Sequence, residues 1–536
     1  MPPLVSALAR NALFEGVSPE SLEQLAGRMR SRRLEPSEVV CRAGDAGDSL
    51  FLIVDGLARV TLPDGDGSRV VARLRRGDVI GEMSLVTGEP RSATVVAGAR
   101  TTVLELRRED FAAAIADDPR LLSNLNRILS RRLAETTARV GERGARGEAV
   151  ALLVGEAGER LVADVLAATE AASARPVASL DARDSLESSI GALDDLLAEH
   201  GTVVVIGSTA QERVELLVDA ADRAIALGEQ LAGAETVALD EEGRLAPARV
   251  AWLGRHLSRT RLGLALGAGG AKGYAHLGAL HALEEAGYTV DAVAGSSIGA
   301  IVGAWLALGK SAADVESSMR EAFRPEIVDE VFKLSLTGGS TGLETHARVL
   351  RETTEGKTFA DCVLPLVVMT VDLNAREKSP VTEGPLWEAL VAATALAGLF
   401  PPHERDGQRL VDGLALVPVP VDAVVEAGAD VTVSVNIISR ETLPAWPGDT
   451  PEPEQPRGAR SRMLDTLLEV MDLAQLDSSE RHASRADVVV TPRFGPGTWR
   501  DFHLADLFLE AGRRAAEEQL PALRELARPQ LSRTHV

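Results

Sequence analysis

The sequence has only two cysteines, no excess of basic residues and a single long stretch without charge. Cys41 and Cys362 lie far apart in the chain, which gives no sign of a disulfide framework and favours a reducing compartment. Acidic side chains number 79 against 57 basic ones, so the net charge is −22 at pH 7. Nucleic acid is therefore not expected as a partner, because phosphate binding needs a basic footprint.

The long charge-free stretch spans residues 292–309, which is barely enough for a membrane-spanning helix. It contains Gly-Ser-Ser-Ile-Gly near its start, and this break predicts a buried strand, a turn and a buried helix instead. The first residues, Met-Pro-Pro-Leu-Val, do not combine a charged segment with a long apolar core, so no signal peptide is expected. We therefore expect a cytoplasmic protein.

Changes in texture along the 536 residues predict three domains, at 1–147, 148–260 and 261–536. The first contains short β-rich runs between turns, followed by a long polar helix, a pattern typical of a β-roll, sandwich or barrel. Alternating buried strands and alanine-rich helices predict an α/β connector in the second domain and a further α/β fold in the third. The predicted fold class is therefore multidomain, β followed by α/β.

Two further segments carry predictions of their own. Residues 155–160 follow the first connector strand, where a phosphate loop would lie. They lack the Gly-Lys-Ser/Thr ending of such a loop, so a structural turn is predicted. Residues 446–456 are rich in proline and acidic side chains, which predicts a mobile surface loop.

A Gly-x-Ser-x-Gly motif lies at residues 295–299, between an apolar strand pattern and an apolar helix pattern. Such a motif places Ser297 at a sharp strand-to-helix corner, with its hydroxyl standing clear of the sheet. Gly295 and Gly299 avoid side chains that would block the turn or the approach of a substrate. The motif alone is a weak signal, because an ordinary helix N-terminus without catalytic function explains five such residues equally well.

Two other motifs flank this elbow along the chain. A glycine-rich loop at 267–273 joins a strand to a helix, so its backbone N–H groups can bind a phosphate or a developing oxyanion. The dinucleotide fingerprint fits poorly, because Lys272 stands where that motif has a glycine or alanine. Downstream, Asp412 and Gly413 end a strand that follows the apolar loop 396–402. The composition of this loop suits an apolar substrate.

The order of these three motifs resembles the patatin-like phospholipase family, over roughly residues 261–526. The resemblance implies that Ser297 is the nucleophile and Asp412 its general base, in an acyl transfer to water that uses no metal or cofactor. It also implies an oxyanion hole formed by the backbone amides of Ala268, Gly269 and Gly270, with Lys272 supporting the loop. An isolated serine needs an adjacent base, and an aspartate serves if an apolar site raises its proton affinity.

Two departures from the family pattern motivate an alternative. Ala268 stands where the family usually has glycine, and Leu414 follows Asp412-Gly413 where it usually has a small residue. The alternative is a cyclic-nucleotide-sensing scaffold with a silent hydrolase domain. A Ser–Asp–His triad is a third hypothesis, since His482 and His503 follow Asp412 in the chain. We favour structural roles for both histidines and for His276.

The first domain carries a second constellation, in which Gly81 and Glu82 precede Arg91 and Ser92. Over roughly residues 4–139 the sequence resembles cyclic nucleotide-binding domains. The resemblance implies that Glu82 accepts a hydrogen bond from the ribose 2′-hydroxyl and that Arg91 pairs with the cyclic phosphate. The bland alternative is a surface ion pair. Ser92 does not decide between cyclic AMP and cyclic GMP, and an apolar α/β segment follows where a DNA-binding regulator would have a basic helix-turn-helix.

The order of sensor, connector and hydrolase resembles bacterial relatives of neuropathy target esterase. That resemblance implies hydrolysis of lysophospholipids or phospholipids by a cytoplasmic protein peripheral at the membrane surface. We further expect that cyclic nucleotide biases the closing helix near residues 130–138 and so alters access to Ser297. The sequence is compatible with a homodimer formed through that helix.

Overall fold

The computed structural model describes residues 8–529 apart from a set of short gaps and three longer ones. The undescribed positions inside this range are 9–10, 15, 36–37, 65–66, 76, 83, 85–87, 89, 99, 119, 122–123, 126–146, 184–185, 334–341, 441–458 and 495–497. The predicted closing-helix segment at 130–138 and the proline-rich stretch at 446–456 lie outside the described residues. The expectations attached to them, homodimerisation included, stay predictions.

The chain divides into two compact units. The first unit runs to Leu166 and resumes at Arg175–Ala246; the second comprises Ala167–Ala174 and everything from Pro247 onward. The β-rich domain and most of the connector thus fall in one unit, whereas Ala167–Ala174 and the helix at Pro247–Leu257 fall in the other. The division into three domains stays a prediction. All five tryptophans lie after residue 246 in the sequence and therefore within the second unit.

The N-terminal part of the first unit contains two antiparallel four-stranded sheets, ordered β1-β8-β3-β6 and β2-β7-β4-β5. Their strands are β1 (Arg30–Leu34), β2 (Val39–Cys41), β3 (Ser49–Asp55), β4 (Leu57–Asp64), β5 (Gly67–Arg75), β6 (Val79–Ile80), β7 (Thr94–Ala97) and β8 (Thr101–Arg107). Helices α1 (Pro19–Arg28) and α2 (Arg108–Asp117) flank them. Strand β3 is buried on both faces: Leu50 and Leu52 pack in one cluster, Phe51 and Ile53 in another.

The connector is a parallel five-stranded sheet in the order β10-β11-β9-β12-β13. Its strands are β9 (Glu148–Val154), β10 (Val177–Asp181), β11 (Thr202–Ser208), β12 (Arg223–Leu227) and β13 (Glu235–Val237). The helices along this stretch are α3 (Val162–Ala172), α4 (Leu186–Glu199) and α5 (Val214–Ala220). Residues 155–160 form a turn that leads into a short helical segment.

The second unit is built on an eight-stranded mixed sheet, ordered β18-β19-β16-β15-β14-β20-β21, with β17 also paired to β16. The strands are β14 (Leu262–Leu266), β15 (Val290–Ser296), β16 (Leu366–Asp372), β17 (Glu377–Val381), β18 (His403–Arg405), β19 (Gln408–Asp412), β20 (Val431–Val435) and β21 (Val488–Val490). The helices are α6 (Pro247–Leu257), α7 (Tyr274–Glu285), α8 (Ile298–Ala307), α9 (Ala312–Ala322), α10 (Pro325–Val331), α11 (Leu343–Thr353), α12 (Leu386–Ala393), α13 (Val421–Glu426), α14 (Ala459–Ala483) and α15 (Ala505–Leu526).

One edge of β16 pairs with two different strands, one after the other along its length. Parallel β15 pairs with the first half of β16 and ends where Ser296 faces Met369. The pairing of antiparallel β19 with β16 begins at the next position, where Asp412 faces Thr370. Strand β17 pairs with these same residues of β16 and so lies along its opposite edge. The residue after β15 and the last residue of β19 are thereby brought together.

The charge-free stretch at 292–309 folds as the sequence predicts. It forms the end of β15, the elbow and helix α8, whose Trp305 is fully buried. In the described part of the chain, no helix is both long and apolar enough to cross a bilayer.

Candidate active site and nucleotide site

The elbow holds Ser297 in a strained conformation with φ +54° and ψ −125°. Non-glycine residues rarely adopt positive φ, and such strain concentrates at functional sites. A Cβ atom on Gly295 would lie 2.2 Å from the carbonyl oxygen of Gly299, and one on Gly299 would lie 2.3 Å from that of Leu266. Both glycines are therefore required by the close approach of β15, α8 and β14.

Ser297 and Asp412 form a direct hydrogen bond. The Ser297 hydroxyl donates to Asp412 Oδ2 at 2.7 Å, and the Leu414 N–H donates to Asp412 Oδ1 at 2.9 Å. Asp412 is 3% exposed, and this burial raises the pKa of its carboxyl group to about 6, against the opposing effect of the two hydrogen bonds. Gly413 is needed here because a Cβ atom would lie 2.6 Å from the Met369 carbonyl oxygen.

The two histidines that follow Asp412 in the chain take no part in this pair. His482 Nδ1 donates to the Ser478 carbonyl of its own helix at 2.7 Å. His503 is about half exposed, and its Nδ1 lies 4.0 Å from an Asp501 carboxylate oxygen. The structure therefore assembles a serine–aspartate pair without either of them, in line with the preference for structural roles.

The glycine-rich loop is held by a residue that sequence reasoning did not single out. The Ala271 N–H donates to the Trp499 carbonyl oxygen at 2.6 Å. Gly270 has φ +59°, and a Cβ atom there would lie 2.4 Å from the same oxygen. On the other side, buried His276 contacts the Gly267 carbonyl oxygen through Nε2 at 2.8 Å, and burial lowers the pKa of His276 to about 4. His276 is thus a neutral donor that packs under the loop.

One predicted oxyanion donor is wrong. The Ala268 N–H donates to the Pro418 carbonyl oxygen at 3.0 Å, so it is committed to the fold and unavailable to a substrate. The N–H groups of Gly269 and Gly270 find no backbone acceptor among the described residues, and both glycines line the same cavity as Ser297. The predicted oxyanion hole is therefore reduced to two amides.

Lys272 is buried beside the loop, and its ammonium group faces an acidic side chain. Its Nζ lies 3.8 Å from Asp472 Oδ2, on helix α14. The sequence predicted that Lys272 supports the loop, and this role stays a prediction. The contact with Asp472 connects the loop to helix α14. Asp472 also lines the cavity of Ser297. Sequence reasoning missed it, because nothing in a charged helix marks one carboxylate among several.

The cavity that contains the dyad has mostly apolar walls. The apolar lining side chains are Ile298, Ile301, Phe323, Val331, Phe332, Leu396, Leu399, Phe400, Leu414, Trp499 and Phe502. The loop 396–402 forms part of the wall, as its composition predicted. Ala268 and Leu414, the two departures from the family pattern, pack in one buried cluster with Ile438 and Leu476.

The N-terminal site is organised around Arg91, which is only 5% exposed. Its Nη1 donates to the Gly81 carbonyl oxygen at 3.2 Å, and its Nη2 donates to the Ser49 carbonyl oxygen. Its Nε is buried with no hydrogen-bond partner among the described residues. Glu82 is buried nearby in sequence, whereas Ser92 is exposed. A guanidinium that is buried in this way disfavours the bland surface ion pair.

Substituting Gly270 tests the oxyanion loop. We expect Gly270→Ala to lower the rate of labelling by a fluorophosphonate at least about 100-fold, because the new methyl group must displace the loop from Trp499 and with it a donor. The measurement is the second-order labelling rate, with circular dichroism to confirm folding. Gly356→Ala is the matched control: it has a similar φ of +64° but open space around the Cβ position. It should cost about 1–2 kcal/mol of stability and keep the labelling rate.

The pH profile of labelling tests the base. Asp412 accepts a proton only when ionised, and burial raises its pKa to about 6. The labelling rate should therefore rise with pH, reach half its maximum near pH 6 and be about tenfold lower at pH 5 than on the plateau. Asp412→Asn should remove both the rate and the titration. A half-maximal rate near pH 4 would contradict the proposed protonation equilibrium.

Comparisons with known proteins identify the domains that contain these two sites. Residues 264–425 match the family model of patatin-like phospholipases, and residues 31–118 match that of cyclic nucleotide-binding domains. An uncharacterized NTE family protein of Mycobacterium tuberculosis is 26% identical over 98% of this chain and 97% of its own length. Patatin-like phospholipase domain-containing protein 6 of Mus musculus is 33% identical over 35% of this chain and 14% of its own. The chain therefore contains a cyclic nucleotide-binding domain followed by a patatin-like phospholipase domain, and its relatives are NTE family proteins, as its sequence predicted.

Proposed function

We propose that this protein is a serine hydrolase that cleaves acyl esters of lysophospholipids or phospholipids through a dyad of Ser297 and Asp412. The observation that carries the proposal is the 2.7 Å hydrogen bond from the Ser297 hydroxyl to Asp412 Oδ2, at the base of an apolar cavity. The apolar walls of the cavity can pack against an acyl chain. The dyad provides a nucleophile with an adjacent base to react with the ester of that chain.

The reaction proceeds in two halves. Ser297 Oγ attacks the ester carbonyl carbon while Asp412 Oδ2 takes the hydroxyl proton, and the N–H groups of Gly269 and Gly270 bind the oxyanion. Collapse of this intermediate expels the alcohol, which takes the proton from Asp412 and leaves an acyl-serine. Water then attacks the acyl-serine, with Asp412 again the base, and the fatty acid leaves as Ser297 recovers its proton.

The position of Asp412 suits this role in two respects. Its Oδ1 is held by the Leu414 N–H, so Oδ2 alone faces the serine hydroxyl. Burial raises its pKa to about 6, so the group is ionised at neutral pH yet more basic than an exposed carboxylate. A histidine intermediary is therefore unnecessary.

Exposed apolar side chains near the cavity support the proposal that the protein acts at a membrane surface. Leu416 is 44% exposed, Val470 59% and Leu473 64%. They flank the cavity-lining residues Leu414 and Asp472 in sequence, and Gln475 Nε2 donates to the Ala415 carbonyl oxygen at 3.3 Å, which joins the two segments. A peripheral apolar rim of this kind would let a lipid pass from a membrane or micelle into the cavity.

We also propose that a cyclic nucleotide, either cyclic AMP or cyclic GMP, binds the first unit and regulates the hydrolase. The support is the match of residues 31–118 to cyclic nucleotide-binding domains and the burial of the Arg91 guanidinium. The cyclic phosphate is an anion that would pair with this guanidinium, and Glu82 would accept a hydrogen bond from the ribose hydroxyl.

Hydrolysis of a lipid panel tests the catalytic proposal. We expect turnover of lysophospholipid or phospholipid micelles by the full chain, and a fall to background in Ser297→Ala. Ser296→Ala is the matched control, because the Ser296 hydroxyl donates to the Val417 carbonyl oxygen at 2.6 Å and not to the dyad. Its cost should be about 1 kcal/mol of stability, with fluorophosphonate labelling retained. Wild-type protein that neither turns over any lipid nor labels would favour the silent scaffold.

Calorimetry with cyclic AMP and cyclic GMP tests the regulatory proposal. We expect the full chain to bind at least one of them, and Arg91→Gln to weaken that binding at least about tenfold, since it removes a charge-assisted contact. Arg100→Gln, at an exposed ion pair with Glu35, should bind as the wild type does. Saturating nucleotide should also change the turnover or the KM of lysophospholipid hydrolysis. The regulatory proposal is wrong if neither nucleotide binds, or if a nucleotide that binds changes neither parameter.

A further inference from the structure

Arg32 is a half-buried cation in the β-rich domain that the proposed nucleotide contacts do not use. It lies on β1, and its Cζ atom is 5.6 Å from the centroid of the Phe51 ring. The Cζ atom of Arg91 is 5.7 Å from the same centroid. A guanidinium at such a distance interacts with an aromatic ring. The arginine proposed to bind the cyclic phosphate and a second arginine therefore share one aromatic side chain.

The pairing of the strands shows which face of the sheet carries Arg32. Arg32 faces Val103 on β8. Val103 belongs to the buried cluster that contains Phe51 and Cys41. Residues paired directly across neighbouring strands point to the same face of the sheet, and successive residues of a strand point to opposite faces. Arg32 thus lies on the face of this cluster, whereas Arg33 lies on the opposite face and is exposed.

The two arginines also act on one thiol. Burial raises the pKa of Cys41, and the positive charges of Arg91 and Arg32 are among the effects that oppose this rise. Glu105 is paired with Phe51 and lies on the same face of the sheet. Within the described part of the chain, neither Glu105 nor another carboxylate forms an ion pair with Arg32. Two positive charges thus lie near each other on a partly apolar face, where their mutual repulsion favours a ligand with several acceptors.

An arginine beside a nucleotide distinguishes bases by their acceptors. The proposed contacts assign the cyclic phosphate to Arg91 and the ribose hydroxyl to Glu82, so the base is the part of the ligand that is left for Arg32. Guanine presents two adjacent acceptors, O6 and N7, to which one guanidinium donates two hydrogen bonds. Adenine presents N7 beside the N6 amino group, which is itself a donor and offers a guanidinium no second acceptor.

We propose that Arg32 donates hydrogen bonds to O6 and N7 of a guanine base and so makes cyclic GMP, not cyclic AMP, the preferred ligand of the first unit. This inference rests on the proposed binding of a cyclic nucleotide and names the base that is bound. The contact between Arg32 and the Phe51 ring does not use the N–H donors of the guanidinium, which are therefore available to the base.

The test is calorimetry on the full chain with three ligands, cyclic AMP, cyclic GMP and cyclic IMP. Cyclic IMP carries the O6 and N7 acceptors of guanine but lacks its 2-amino group, so it isolates the edge of the base that is assigned to Arg32. We expect cyclic GMP and cyclic IMP to bind with similar Kd values. Each Kd should be at least about tenfold lower than that of cyclic AMP, because cyclic AMP cannot form the bidentate contact.

Arg32→Met should bring the ratio of the cyclic AMP Kd to the cyclic GMP Kd to about one, because the long side chain is kept while the donors are gone. Arg33→Met is the matched control: it removes the neighbouring charge on the opposite face of β1 and should keep the wild-type ratio.

Three outcomes overturn this inference alone: a wild-type ratio near or below one, a cyclic GMP affinity far above that of cyclic IMP, or an unchanged ratio in folded Arg32→Met. The wild-type comparison of the three nucleotides stands even if Arg32→Met does not fold. Binding of none of the three overturns the proposed regulation and this inference with it.

Discussion

The hydrogen bond between Ser297 and Asp412 is the contact on which the rest of the catalytic unit depends. It exists because two strands share one edge of β16, so that the elbow after β15 meets the end of β19. The approach is close enough that three glycines are required around it, at 295, 299 and 413. The strain at Ser297 is then a consequence of the packing, and the surrounding sheet and helices hold it in place.

Burial also shifts the pKa of three side chains near the cavity. The same low-polarity surroundings raise the pKa of Asp412 and lower those of His276 and His346. The carboxylate is therefore more basic than an exposed one, whereas both imidazoles are neutral at pH 7. A single physical cause thus shifts the pKa of the acid and those of the two histidines in opposite directions.

The sequence predicted the parts of the site that depend on local backbone geometry. The elbow, the glycine loop and the acid after a strand are each visible as short motifs, because glycine is needed where chains approach closely. Ala268 was predicted wrongly as a donor, since its N–H is taken by Pro418, 150 positions away (418 − 268). Asp472 and Trp499 were missed because their contacts with the glycine-rich loop are tertiary, and no local pattern distinguishes them from ordinary helix or loop residues.

The tryptophans provide an intrinsic fluorescent label in one of the two units. All five lie in the second unit, whereas the residues matched to the cyclic nucleotide-binding domain lie in the first. Intrinsic tryptophan emission therefore reports on the second unit, including Trp499 beside the glycine loop. The wild-type chain thus carries a spectroscopic probe in one unit for a ligand whose matched domain lies in the other.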